Sequence, residues 1–415
     1  MKSDLPKLME RENIDAIWVS GTGSNNPPMV YLTGGAPLGE SNLILIKGKE
    51  PVLFCRSMER DVASNTGLET IVIEKYRLDL LLKETGGNEN KAKALLRKAM
   101  LDELGFTKGR IALYGKSELS VQFGILDELG DLLPEIHFIG EGTKSILLKA
   151  RATKDENEIK RIRKMGEITT EVVRKTAEYL QSCPVGVDEI LLDPNGKPIR
   201  VADVKSKINT WLTELGAEAP REPIFALGHD AGVPHSVGNP MDKVCLGKTI
   251  IFDIFPQEAG GGYFFDFTRT WCLGYAPEAE QKLFEDVKSV FDTIMSELMV
   301  NGYCPDFQDR TCELFEALGH KTVRQDYQLE SGYVHSLAHG LGLDVHERPI
   351  FGAEAGKDDI LAPGSVVTIE PGLYYPELGM GCRIEDPVWV KPDGEMEILV
   401  EFPYDLVLPM KHWKG

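Results

Sequence analysis

The 415-residue chain predicts an α+β fold of two domains, and three observations carry the prediction. Length alone, at about 150 residues per domain, calls for two domains or three. The first third of the chain alternates helical and strand patterns, as a small α/β domain does. The remainder combines several short strands with a few long amphipathic helices, the pattern of an antiparallel sheet covered by helices on one side. With 42% hydrophobic and 27% charged residues, the chain can bury a sizeable core.

The elements follow in order. Leu5 to Asn13 has helix-like apolar spacing, and residues 14–20, 41–48 and 51–56 read as strands. Gly21, Asn25, Asn26, Pro27, Pro28, Gly34 and Gly35 supply turn signals between them. A helix at 91–104 and a strand at 110–115 continue the alternation. This part holds one histidine, His137, and no cluster of ligand-type residues, so it reads as a scaffold. A boundary near Arg151 divides the chain into domains 1–151 and 152–415. Thr153 and Glu156 have capping-box spacing, and Ile159, Ile162, Met165, Ile168 and Val172 form one apolar helix face ending near Leu180. Leu283, Val287, Val290, Ile294 and Leu298 repeat that pattern. Strands are expected at 248–255, 263–271, 365–375, 382–390 and 397–402.

Composition excludes several function classes. The formal net charge of −19 makes the chain a poor partner for nucleic acid or anionic lipid. No apolar run reaches the roughly 18 residues of a membrane span, and the charged start lacks a signal-peptide core. Seven widely spaced cysteines without a C-x-x-C pair argue against a disulfide framework or a cysteine zinc site. A reduced, cytoplasmic setting is expected.

The second part carries the chemistry. Asp253, Asp266, Glu370 and Glu385 each lie in a segment of aromatic or β-branched residues. A buried, unpaired carboxylate costs several kcal/mol or takes up a proton, so each must point outward, pair with a base such as Arg269 or Arg383, or bind a cation. The run V-H-S-L-A-H-G-L-G-L-D-V-H-E adds His335, His339 and His346. Four residues apart, His335 and His339 are expected on one helix face, with Gly340 and Gly342 turning the chain toward His346. A surface polar patch is the alternative for the histidines alone.

Together these residues resemble the pita-bread metallopeptidases, in the branch of Xaa-Pro aminopeptidases and prolidases. Five elements match in order: the first Asp strand, D-x-T-R-T (Asp266, Thr268, Arg269, Thr270), H-x-x-x-H-G-x-G followed by V-H-E, T-I-E-P-G-L-Y, and R-I-E-D. The N-terminal part, with YLTGG at 31–35, resembles the smaller creatinase-like domain of that branch. The resemblance implies a curved antiparallel sheet covered by helices. Carried over by position, it implies metal ligation by Asp253, Asp266, His339, Glu370 and Glu385, with Asp266 and Glu385 bridging two divalent ions. Four carboxylates balance two such charges, and oxygen-rich ligation suits Mn²⁺ or Co²⁺, with Zn²⁺ the alternative.

The implied reaction is hydrolysis of an N-terminal Xaa-Pro bond by hydroxide shared between the metals, on a peptide with proline at its second position. Glu370 would handle the water proton, and His235 and His346 would hydrogen-bond the substrate carbonyl or its oxyanion. His335 would line the pocket, Tyr374 would lie beside the metals, and Arg383 would orient a carboxylate or the substrate. A homodimer is implied as well. Two departures stand out: a lengthened, glycine-rich hairpin between Asp253 and Asp266, and an unusual segment at 181–224. They leave open action on a small non-peptide amide, as in ectoine-hydrolase relatives. A metal-free creatinase-like reaction and a non-catalytic binding module are disfavoured, because relatives of those kinds lack the ligands present here.

Overall fold

The computed structural model describes residues 1–413. The described chain divides into two compact units. One comprises Met1–Arg151 with Gly260–Gly262; the other comprises Ala152–Ala259 and the chain from Tyr263 onward.

The first unit is built on a mixed sheet of β1 (Ala16–Gly21), β2 (Ser41–Ile46), β3 (Val52–Cys55), β4 (Glu69–Val72), β5 (Gly109–Lys116) and β6 (Ile136–Ile139), ordered β4–β3–β2–β1–β5–β6. Strand β1 runs antiparallel to β2 and parallel to β5. Ala16, Trp18, Ile44, Phe54 and Ile111 from the strands pack with Leu96, Met100 and Leu129 from the helices Glu89–Glu103 and Leu119–Leu132. One expectation needs correcting: the Pro27-Pro28 turn signal opens a helix, Pro27–Thr33, which closes on Gly34 at φ 80°. Prolines fit there because the first turn of a helix has no use for their missing amides.

The second unit begins with the helix Glu156–Ser182, whose apolar face is buried from Ile159 to Leu180. Its capping box lies two residues beyond the expected Thr153 start. Asp155 accepts from the amides of Asn157 and Glu158, and Glu158 accepts from the amide of Asp155. A carboxylate is the stronger acceptor and also favours the positive helix end.

The strands β7 (Ala217–Glu218), β8 (Ile224–Leu227), β9 (Thr249–Ile254), β10 (Gln257–Glu258), β11 (Phe267–Leu273), β12 (His339–Gly340), β13 (Glu347–Ile350), β14 (Val366–Ile369), β15 (Gly372–Tyr375), β16 (Met380–Arg383), β17 (Asp386–Val390), β18 (Met396–Ile398) and β19 (Val407–Leu408) complete the unit. They form sheets ordered β19–β11–β9–β8 and β13–β12–β14–β17–β18, a ribbon of β15 and β16, and a short β10–β7 pair. The helices Glu278–Glu297 and Cys304–Ala317 close the core: Leu283, Val287, Val290 and Ile294 meet Val367, Ile369, Leu373, Ile384 and Val388. No helix among the described residues is long and apolar enough to cross a membrane.

Four of the expected strands differ. The segment 263–271 is a strand only from Phe267, so Asp266 lies just before it. The segment 397–402 leaves its sheet after Ile398, and Phe402 packs against Phe267 instead. The segments 365–375 and 382–390 each break into two strands, and the breaks fall at Glu370 and Glu385.

Candidate metal centre

The first carboxylate is placed by strand pairing. Strands β9 and β11 are antiparallel, with Asp253 opposite Thr268. Side chains alternate along a strand, so Thr268 and Thr270 face one way and Arg269 the other. The hydroxyl of Thr268 donates to Glu385 Oε2 at 2.6 Å, and Thr270 Oγ1 holds the backbone of Arg383 from both its amide and its carbonyl. Arg269, on the other face, pairs with Asp386 at 2.9 Å and packs against Phe267 and Tyr404. The expectation that Arg269 could neutralise one of the four carboxylates is therefore not met; strand alternation points it away from them. Arg383 does so instead, reaching Asp253 Oδ2 at 2.5 Å.

Glu370 and Glu385 are placed by a kink. Ile369 pairs with Asp386, and Gly372 pairs with Arg383. One long hairpin thus keeps its register across a gap at 370–371 and 384–385. Within the gap only a long bond from the amide of Ile384 to Pro371 O, at 3.5 Å, still crosses the hairpin, and the two glutamates turn to other segments. The amide of Glu370 donates to Leu337 O at 2.8 Å, and Glu385 exchanges backbone hydrogen bonds with Thr268. Pro371, lacking an amide, cannot continue the ladder. The kink ties the hairpin to the histidine segment on one side and to β11 on the other.

The histidines do not share a helix. His335 lies in irregular chain and His339 in β12, between β13 and β14. The spacing fits a helix, but Gly340 is pressed so close to the next strand that a Cβ there would lie 2.0 Å from Arg348 O. Packing overrides the local pattern. His339 Nε2 lies 3.3 Å from Glu370 Oε1 and 3.6 Å from Asp266 Oδ2. His346 stacks edge-on to His339 with ring centroids 4.2 Å apart. His335 sits between Ser336 O at 2.7 Å and the Tyr374 hydroxyl at 2.8 Å, with Nδ1 3.9 Å from Glu370. The Tyr374 hydroxyl also accepts from Arg383 at 2.6 Å. His235 is exposed and lies near His335 and His346.

Three overlapping groups result: Asp253, Asp266 and Glu385; His339, Glu370 and Glu385; and Asp266, His339 and His346. Within each, one ligand atom per residue lies within 4.8 Å of the others. Burial, and then repulsion from Asp253, raises the Glu385 carboxyl to about 8. Burial followed by the charge of Glu385 raises Asp266 and Glu370 well above the usual carboxylate range. Burial lowers His339 to about 3, helped by His346, so its imidazole is neutral at pH 7. Asp253 Oδ1 and Glu385 Oε1 are buried without a hydrogen-bond partner among the described residues. Clustered carboxylates with unused oxygens beside a neutral imidazole fit divalent cations.

One participant, named in the D-x-T-R-T match, has no role assigned to it from the sequence. Thr268 donates to Glu385 and accepts from Arg383 Nε at 3.3 Å. The available signal was the Thr-Arg-Thr alternation itself, because buried hydroxyls on an otherwise apolar strand need partners.

Comparison with known proteins extends this picture. The sequence model of metallopeptidase family M24 matches residues 160–392. The Xaa-Pro dipeptidase of Pyrococcus horikoshii is 26% identical over 394 residues, 94% of each chain. That of Pyrococcus furiosus is 23% identical over 399 residues, again 94% of each. The crystal structure of a dipeptidase from Pyrococcus horikoshii OT3 superposes with a TM-score of 0.74 at 26% identity, covering 98% of this chain and 99% of that one. The X-Pro aminopeptidase of Thermotoga maritima MSB8 shares the fold, with a TM-score of 0.71 at 22% identity over 98% and 99% of the two chains.

Proposed function

The chain belongs to metallopeptidase family M24, in its Xaa-Pro dipeptidase and aminopeptidase branch, and from that premise we propose that it hydrolyses the bond between an N-terminal residue and a following proline. The observation that carries the proposal is the set Asp253, Asp266, His339, Glu370 and Glu385, gathered with unused buried oxygens. These five residues would hold two divalent ions, which would supply a water acidified toward neutrality and polarise the scissile carbonyl.

The chain's own groups do the rest. Glu370 lies 3.3 Å from His339, with its other oxygen facing His335. Its carboxylate accepts the water proton and returns it to the proline nitrogen. That return is needed, because an Xaa-Pro bond is a tertiary amide and its nitrogen carries no proton of its own. His346 and His235 donate N–H hydrogen bonds to the substrate carbonyl oxygen as its charge grows. Arg383 is committed to Asp253, Thr268 and Tyr374, which favours orienting a carboxylate over touching substrate. Tyr374 and His335 complete the wall beside Glu370.

The test is a cleavage assay of Xaa-Pro dipeptides beside Xaa-Pro-Yaa peptides, repeated with Mn²⁺, Co²⁺ and Zn²⁺. Metal-dependent release of proline or of a Pro-Yaa fragment is expected. Cleavage that ignores the proline, or none with any metal, contradicts the proposal.

A further inference from the structure

Next to His346 in the chain begins an ion pair with no part in the chemistry above. Lys154 Nζ and Glu347 Oε1 are 2.8 Å apart, and each side chain is only 1% exposed. Removing two charges from water is costly, and hydrophobic packing could often replace such a pair without loss. Its location suggests why it is here. Glu347 opens β13 and directly follows His346. A Cβ on Gly342 would fall 1.9 Å from Glu347 Oε1, so the carboxylate lies against the backbone of the loop between His339 and His346. The carbonyl of that same Gly342 accepts from the amide of Phe264 at 2.8 Å, two residues before Asp266. Lys154 is itself anchored, its amide donating to Gly364 O at 2.8 Å just ahead of β14. The pair thus links the loop between His339 and His346 to the chain just ahead of β14.

We propose that Lys154 and Glu347 are positioning residues for His346, holding its ring against His339 so that its N–H meets the developing oxyanion. The proposal rests on the peptidase reading of the site, and its test separates the two. The variant Lys154→Met/Glu347→Gln leaves neither charge unpaired. Its metal content and KM should match the parent protein, while kcat for an Xaa-Pro dipeptide falls on the order of tenfold. Placed on a His346→Ala background, the same double substitution should lower kcat by less than about twofold, because the group it positions is already gone. Equal losses on both backgrounds, or an unchanged kcat in the double variant, overturn the proposal. Should the double variant not fold, Glu347→Asp, which keeps the charge but shortens the reach, carries the same comparison.

A second readout needs no activity. With histidine-selective isotope labelling of the metal-free protein, the rings of His339 and His346 should show a strong through-space NMR contact in the parent protein. The double variant should weaken it. An unchanged contact overturns the proposal. If the parent protein releases no proline, the peptidase reading fails while the ring-to-ring contact still decides the role of the pair.

Discussion

At the scale of single residues, the two adjacent histidines make the sharpest contrast. His339 faces Asp266 and Glu370 within 3.6 Å, while His346 stacks on it from the exposed side. His339→Ala should deplete bound metal. His346→Ala should keep metal and lower kcat by about 10²–10³-fold, the usual loss for one oxyanion donor. Because one His346 ring nitrogen lies within 4.8 Å of ligand atoms of Asp266 and His339, metal loss on its removal would reassign it as a ligand. Glu385→Gln should abolish turnover and weaken at least one ion while the fold survives. Glu103→Gln, facing Lys75 and Tyr76 in the first unit, should leave both unchanged, and equal activity in the two variants would remove Glu385 from the centre. Which residues gather was legible because ordered motifs name chemical types: carboxylates on apolar strands demand partners wherever the chain takes them. The partner of each was not. Arg269 and Arg383 look equivalent in sequence, and only strand alternation sends one to Asp386 and the other to Asp253.

At the scale of elements, the centre depends on strands that stop. The apolar runs around Glu370 and Glu385 read as unbroken, since period-two patterning records which side chains are buried but not where a ladder opens. The opening is set by long-range hydrogen bonds, Glu370 to Leu337 and Glu385 to Thr268, which no local pattern encodes. The helix expected across His335 and His339 failed for the same reason: a four-residue spacing is silent about the close approach at Gly340. Thr268 joins the kinked hairpin to β11 through its hydroxyl. Thr268→Val should weaken metal affinity by about 10–100-fold, the common cost of losing a group that orients a ligand, with the melting temperature of the metal-free protein little changed. Calorimetric titration with Mn²⁺ measures this, and parent-like affinity would show that Glu385 is oriented without it.

At the scale of the whole molecule, the centre couples stability to pH and to metal. The carboxyls of Glu385, Asp266 and Glu370 are raised in the folded chain. A group with a raised folded pKa favours the folded state while protonated, so stability falls as pH climbs from the ordinary carboxylate range toward about 8, the Glu385 value. Divalent ions require the deprotonated carboxylates and bind only the folded site. The rise in melting temperature on adding Mn²⁺ should therefore grow between about pH 5 and pH 8. A rise of equal size at every pH would detach the stabilisation from these carboxylates. One titration decides whether a pair of ions serves proline-directed hydrolysis. Mn²⁺ is added stepwise to metal-free protein while proline release from an Xaa-Pro dipeptide is followed beside an Xaa-Ala control. Turnover should be absent at the start and reach a plateau near about two ions per chain, with little cleavage of the control. Full activity without metal, or no proline released at any loading, would contradict that role.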